Sequence, residues 1–369
     1  MATSTSVHSN LAIPPGEYLE EVLDELGMTK DELARRMSRP ASKLSPVFRG
    51  EKAITPDTAL QLEMVVGVPA HIWVGLESEY RLTLARQQRE VEEQRLTDES
   101  RLVRAHCYPE LVKAGAVTKA TRPADKVREL RRFFGVASLF AIPNVRTYEA
   151  AFRQGRARTN RRSPEAIASW LRLAEKRAEG LQTRPFDRVR LRGTIERIRA
   201  LTLRDPESFL PELSATLADS GVAFVLLPHF PGTGVHGATF PSGRERAILA
   251  MTSRGAWADV FWFSLFHELG HLLLHDKRDV IIETDDAPSP RTPREVEADE
   301  FACDSLIGPD AYKRFTALGE FGVAEIEAFA AANSVAPGIV VGRLQHDGHL
   351  RHEWRNHLRA RYKWAEDAA

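Results

Sequence analysis

Cysteine is nearly absent: Cys107 and Cys303 are the only two in 369 residues. That excludes a disulfide framework and a cysteine-rich metal cluster, and it suits a reducing compartment. Long apolar runs are missing too. No stretch approaches the ~18 to 20 apolar residues that a membrane-spanning helix needs, and "MATSTSVHSNLAIPPGEY" has no basic segment leading into an apolar one. Neither a membrane span nor a secretory leader is expected, and the reading is a cytoplasmic protein. Net charge is lacking as well, with 51 Lys and Arg against 51 Asp and Glu, but the balance is not local. Residues 1–80 hold 7 basic and 12 acidic side chains, residues 81–205 hold 29 and 15, and residues 206–369 hold 15 and 24. Such segregation suggests units with different partners, although solvated helical faces are the plainer explanation of the basic middle.

The length favours two or three domains. The first 80 residues show short helical patterns with clear punctuation. "TKDE" reads as a capping box at Thr29 and Glu32, Thr55 and Pro56 open another helix, and Gly67 closes it. Trp73, Leu76 and Tyr80 are expected to close a small helical core. Residues 81–205 read as further helices, among them one capped by Ser163 with Ile167, Trp170, Leu171 and Ala174 on one face. From residue 221, "GVAFVLLP", "GVHGATF" and "ERAILAMT" read as strands of a small antiparallel sheet. The expected class is α+β and mostly helical. Four segments follow: a helix-turn-helix bundle at 1–80, a basic helical middle at 81–205, a sheet-plus-helix unit at 206–310, and a helical extension at 311–369.

What is present in that third segment is "FWFSLFHELGHLLLHDK", with His267 and His271 four positions apart and Glu268 between them. On a helix the two imidazoles share a face, and the carboxylate at its edge can reach a water held by a shared ion. This is the donor set for Zn²⁺-assisted peptide hydrolysis, with Glu268 as the base. A third ligand must come from elsewhere. The helical run "REVEADEFACDSLIGP" offers Glu295, Glu297, Asp299 and Glu300, and its apolar members Val296, Phe301, Ala302 and Leu306 suggest a buried face. Glu297, at the margin of that face, is the acid best placed to aim inward, and Asp299 is placed to orient a liganding histidine. His275 would lie about 12 Å along a straight helix from His267, so it is expected outside the ligand set. His236, Tyr312, Arg343 and His346 are open candidates for stabilising an oxyanion.

Residues 220–307 resemble the ImmA/IrrE family of zinc metallopeptidases, through "HELGHLLLH" and the "EADEFA" run, where the family typically has Glu-Ala-Asn-x-Phe-Ala. Asp299 stands at the usual Asn position. The resemblance implies His267, His271 and Glu297 as zinc ligands and Glu268 as general base in a zincin-like domain. It also implies that the strand "ERAILAMT" borders the cleft, where an extended peptide could pair with its edge.

Residues 10–80 resemble the Cro/CI-type helix-turn-helix domains of HigA-like antitoxins, through "GMTKDELARRM", "GEKAITPDTALQLE" and "GVPAHIWVGLE". Residues 30–52 carry 7 basic against 3 acidic side chains. A recognition helix near Pro40 would offer Ser42, Lys43 and Ser45 to base edges, with Lys30, Arg39, Arg49 and Lys52 on phosphates. Two features depart from the pattern: Ser38 where the turn often has glycine, and Pro46 inside the recognition helix, where it should kink or shorten it. The pairing of the two resemblances implies a DNA-binding transcriptional regulator with a zinc endopeptidase domain acting on a repressor or other regulatory protein. A homodimer on a two-fold operator is the expected form. The alternative is an antitoxin-like repressor, with a toxin partner, whose zinc domain is structural or sensory.

Overall fold

The computed structural model describes residues 11–156, 163–243, 245–253, 257–275, 280–284 and 292–362. Residues 1–10, part of the stretch used to judge a leader, lie outside these. The chain divides into two compact units, residues 1–98 and 99–369.

The first unit contains α1 (Pro15–Glu25), α2 (Lys30–Arg36), α3 (Ala41–Phe48), α4 (Pro56–Val66) and most of α5 (Ala70–Ser100). The punctuation is as expected: the Thr29 hydroxyl accepts from Glu32 N at 3.2 Å, the Thr55 hydroxyl accepts from Thr58 N at 3.3 Å, and Gly67 ends α4 in the left-handed region. The Glu32 carboxylate does not return to the cap, because Arg35 and Arg36 take it. Leu19, Leu33, Leu44, Phe48, Leu62 and Trp73 form the core. Trp73 is fully buried, whereas Leu76, expected beside it, is 37% exposed. Behind it the buried Glu77 does the polar closing instead, accepting from Ile54 N at 3.0 Å and from Arg81 Nε at 2.7 Å.

The second unit begins with helices: α6 (Tyr108–Lys113), α7 (Pro123–Phe134), α8 (Arg146–Arg156), α9 (Pro164–Glu179), α10 (Arg188–Gly193), α11 (Ile195–Ala200) and α12 (Pro206–Asp219). Ser163 caps α9 by accepting from Ala166 N, and Ile167, Trp170, Leu171 and Ala174 are all buried on it. The sheet follows as β1 (Val222–Leu227), β2 (Val235–Ser242) and β3 (Arg246–Thr252), then α13 (Ala258–Leu274), β4 (Ile281–Thr284) and α14 (Pro293–Leu306). Three helices complete it: α15 (Pro309–Leu318), α16 (Val323–Ala332) and α17 (Pro337–His346).

The spatial order is β1-β3-β2-β4, and the sheet is mixed. Strand β2 runs antiparallel to both β3 and β4, as the sequence pattern suggests, but β1 runs parallel to β3. One expectation is corrected by this order. The strand "ERAILAMT" is β3, paired on both sides, so it has no edge for a peptide; the outer strands are β1 and β4. Leu249 and Met251 of β3 join the core that holds α13, and their neighbours Ile248 and Ala250 are equally buried, so the sheet is covered on both faces.

Helix α13 lies between the sheet, α14 and α17. Trp262 anchors its apolar side, donating from Nε1 to Tyr362 Oη at 2.7 Å and packing on Phe209. At its start, Asp259 and Arg359 form a buried ion pair at 2.8 Å. No single helix among the described residues is long and apolar enough to cross a membrane.

Candidate metal centre and helix-turn-helix surface

His267, Glu268 and His271 are all buried near the middle of α13. The two imidazoles converge, with His267 Nε2 and His271 Nε2 2.9 Å apart. The acid that meets them is Glu295, from the first turn of α14: Oε2 lies 3.3 Å from His267 Nε2, and Oε1 lies 3.8 Å from His271 Nε2. Donor atoms of these three residues all lie within 4.8 Å of one another.

Glu297, expected as the third ligand, is not in this group. It points away, half exposed, and accepts from His275 Nε2 at 2.9 Å. The reason is the phase of α14. Its buried residues are Ala298, Ala302 and Leu306, while Val296 is 40% exposed. At 3.6 residues per turn, Glu295 falls within about 20° of Ala302 and Leu306 around the helix, whereas Glu297 falls on the opposite side. Taking Val296 as a core residue rotates the expected face toward Glu297. The close approach of the two helices depends on Gly270, where a Cβ would stand 3.1 Å from Phe301 and 3.2 Å from the Ala298 backbone.

Outer hydrogen bonds hold both rings. His267 Nδ1 donates to Asp299 Oδ1 at 2.8 Å, the orienting contact expected of that acid. His271 Nδ1 pairs with His275 Nδ1 at 2.9 Å, and His275 passes the link on to Glu297. Each of these arrangements commits Nδ1 outward and leaves Nε2 as the inward donor atom. His275 therefore lies outside the converging set, as its position on the helix suggests. Arg188 of α10 donates to the His275 carbonyl and ties down the end of the helix.

The electrostatics fit a cation site. Burial would lower the pKa of His267, but hydrogen bonds to Asp299 and Glu295 raise it to about 11. Burial and the neighbouring His267 charge push His271 down to about 3. The His267 imidazole thus faces two carboxylates, an arrangement of charge that suits a cation. Two nitrogens and one oxygen also match the three protein ligands of catalytic zinc sites. Glu268 is fully buried, neither carboxylate oxygen makes a hydrogen bond within 3.5 Å among the described residues, and burial raises its pKa well above the ordinary value against a weaker opposing influence of the nearby Thr239 hydroxyl. It sits against the bare backbone of Gly237 on β2: a Cβ there would be 2.8 Å from Glu268 Cγ. Of the oxyanion candidates, Arg343 is committed to Asp347 at 2.6 Å and His346 stacks on Phe263.

In the first unit, Ser42, Lys43 and Ser45 lie on the exposed side of α3, and Arg49, just past its end, is exposed as well. Pro46 is accommodated within this helix, which ends two residues later. Ser38 in the preceding turn adopts φ +52°, the left-handed conformation that a glycine would supply. Lys30 pairs with Glu20, Arg39 donates to the Thr58 hydroxyl at 3.0 Å, and Arg49 pairs with Glu51 at 2.7 Å, while Lys52 is exposed.

Comparison with known proteins bears on both units. Over 71 residues, 19% of this chain and 76% of the other, the sequence is 35% identical to the uncharacterized HTH-type transcriptional regulator YddM of Escherichia coli K12. The chain belongs to the HTH-type regulator family. This regulator is also 35% identical over 80 residues to virulence-associated protein I of Dichelobacter nodosus, covering 21% of the chain and 74% of that protein. Among solved structures it is similar to an addiction module antidote protein of the HigA family from Coxiella burnetii, at 29% identity, covering 22% of this chain and 92% of that one with a TM-score of 0.20. Residues 236–322 match the profile of the IrrE N-terminal-like domain, a peptidase family. The chain thus joins a segment similar to HTH-type regulators to an IrrE-like domain, and the converging donors lie inside the matched range.

Proposed function

We propose that this chain is a DNA-binding transcriptional regulator whose second unit is a zinc-dependent endopeptidase acting on a repressor or other regulatory protein. The observation that carries the peptidase reading is Glu268, a buried carboxylate without a hydrogen-bond partner next to the donors of His267, His271 and Glu295. Leaving such a group unpaired in a core costs several kcal/mol, about 1 to 3 or more, which a purely structural helix has no reason to bear.

His267, His271 and Glu295 would hold the ion, with Asp299 and the His275–Glu297 link fixing the rings. Zinc, when bound, supplies a Lewis acid and makes a water more acidic. Glu268 then takes the proton from the attacking water and returns it to the departing amine. Its place beside the converging donors, against the bare backbone of Gly237, puts the carboxylate within reach of such a water.

For DNA, α3 offers Ser42, Lys43 and Ser45 to base edges, while Lys30 of α2 and Arg39, Arg49 and Lys52 in the segments flanking α3 would meet phosphates. The pairs of Lys30 and Arg49 are exposed and screened by solvent, so exchanging their partners for phosphate is cheap. The likeness of the first unit to an HTH-type regulator is met equally by a second reading, a repressor with a toxin partner in which the zinc unit is structural or sensory.

One set of measurements tests both readings. The peptidase predicts about one zinc per chain and, in Glu268→Gln, zinc retained with derepression lost. Glu268→Gln that leaves derepression in cells intact would favour the second reading. A gel shift in which Lys43→Ala binds the chain's own promoter as well as wild type does would remove α3 as the contact surface.

A further inference from the structure

A cavity of about 290 Å³ lies one helical turn ahead of His267, between α13, α14, α17 and β4. The chemistry proposed above does not use it. Val260, Phe263, Leu306 and Ile307 give it apolar walls, and the Phe263 ring rests against His267 with centroids 6.4 Å apart. An occupant would therefore sit next to the converging donors. The arginines at its rim are already paired, Arg359 with Asp259 and Arg343 with Asp347.

Glu283 of β4, in the same wall, is not paired in this way. Its Oε1 accepts from Ser264 Oγ at 3.1 Å, but Oε2 is buried with no hydrogen-bond partner among the described residues. His236 on the same wall contributes a field at this carboxylate and no hydrogen bond to Oε2. A buried carboxylate oxygen without a donor carries an unrecovered desolvation cost that a ligand's donor would remove. The volume lies at the lower end of ligand pockets, about 300 to 1,000 Å³, and suits one long side chain.

We infer that this cavity is a specificity pocket of the proposed peptidase, and that it takes a lysine or arginine side chain of the peptide substrate. The methylenes lie along Val260, Phe263, Leu306 and Ile307, and the cationic head donates to Glu283. A purely apolar side chain would leave Oε2 unpaired, and an acidic one would be repelled by it. The inference rests on the peptidase reading for its substrate class, but occupancy can be read without turnover.

The test uses the zinc-loaded full chain and position-scanning hexapeptide libraries with one position fixed as Lys, Arg or norleucine, the last being an apolar chain of similar length. Wild type should cut Lys or Arg peptides at least about tenfold faster than norleucine at one position, the discrimination that a charge-assisted hydrogen bond provides. Glu283→Gln keeps an acceptor for Ser264 and should reduce the preference to within about threefold. Val260→Trp, at the 36% exposed mouth, should slow both classes by filling the walls. Binding of fluorescein-labelled Lys and norleucine peptides to Glu268→Gln, followed by anisotropy, should show the same preference and the same loss in the Glu283→Gln double variant. Equal handling of Lys and norleucine, a preference for norleucine, or a Lys preference that survives Glu283→Gln overturns the pocket assignment. Lys-selective binding that needs Glu283, with no cleavage by wild type, supports the pocket and defeats the peptidase reading.

Discussion

The exchange of Glu295 for Glu297 at the candidate metal centre can be decided by two parallel substitutions. Glu295 faces both Nε2 atoms at 3.3 and 3.8 Å, while Glu297 reaches His271 only through His275. Removing an outer partner of a liganding histidine costs about 10- to 100-fold in metal affinity, or about 1.4 to 2.8 kcal/mol. Glu297→Ala should fall in that range. It leaves His275 in place, so the cost reflects looser orientation of His271 rather than a lost ligand. If Glu295 is the third ligand, Glu295→Ala takes away both that oxygen and one of two carboxylates beside the His267 ring, and should lose more than about 100-fold. Glu297→Gln should be milder than Glu297→Ala, because the amide oxygen still accepts from His275 Nε2. Competition with a fluorescent zinc chelator at fixed pH measures all three. Zinc lost in Glu297→Ala and retained in Glu295→Ala would refute the geometric argument and restore the assignment implied by family resemblance.

Three further outcomes follow from local physics. Gly237→Ala should keep zinc but lower peptide cleavage about 100-fold by displacing Glu268; the shorter acid in Gly237→Ala with Glu268→Asp should recover part of the loss, and no recovery would argue against a steric cause. His106 is buried between the Glu165 carbonyl and the Phe134 ring, and burial lowers its pKa from 6.5 to about 4. Its neutral form stabilises the fold fully above pH 6.5, and this contribution falls as pH drops toward 4, by about 2 kcal/mol at pH 5; urea unfolding of wild type and His106→Gln at pH 8 and pH 5 should show a steeper loss in wild type. Ser38→Gly should raise the stability of the first unit by about 1 kcal/mol by relieving the left-handed conformation, read as a higher midpoint in thermal unfolding.

Much of the first unit was legible because its signals are local. A cap hydroxyl, a proline at the first helical position and a closing glycine act within four residues, and Thr29, Thr55 and Gly67 all do what those rules require. Leu76 shows where this stops: periodicity marks it as apolar, yet Trp73 and Glu77 take the inward positions on α5. In the second unit the three main strands were visible in their apolar runs. Their order was not, because a parallel β1 beside β3 is fixed by the crossing of the chain rather than by any residue pattern. Strand β4 is four residues long, too short for alternation to register.

The candidate site divides along the same line. His267, Glu268 and His271 belong to one helix turn, so their shared face follows from helix geometry alone. The third donor depends on how α14 is rotated against α13, and that rotation is set by Gly270 meeting Ala298 and Phe301, a contact between residues 28 and 31 positions apart. The sequence did carry a usable signal: Ala302 and Leu306 lie in line with Glu295, and weighting these small and aliphatic residues over Val296 selects the acid that converges on the two histidines. Val296 misleads because a β-branched apolar residue is expected inside, although single exposed apolar side chains are common on protein surfaces. Glu297 keeps a part even so, since its contact with His275 extends the hydrogen-bonded chain behind His271. A motif read along one helix thus brings two imidazoles and a carboxylate together, while the acid that joins them is chosen by the packing of the next.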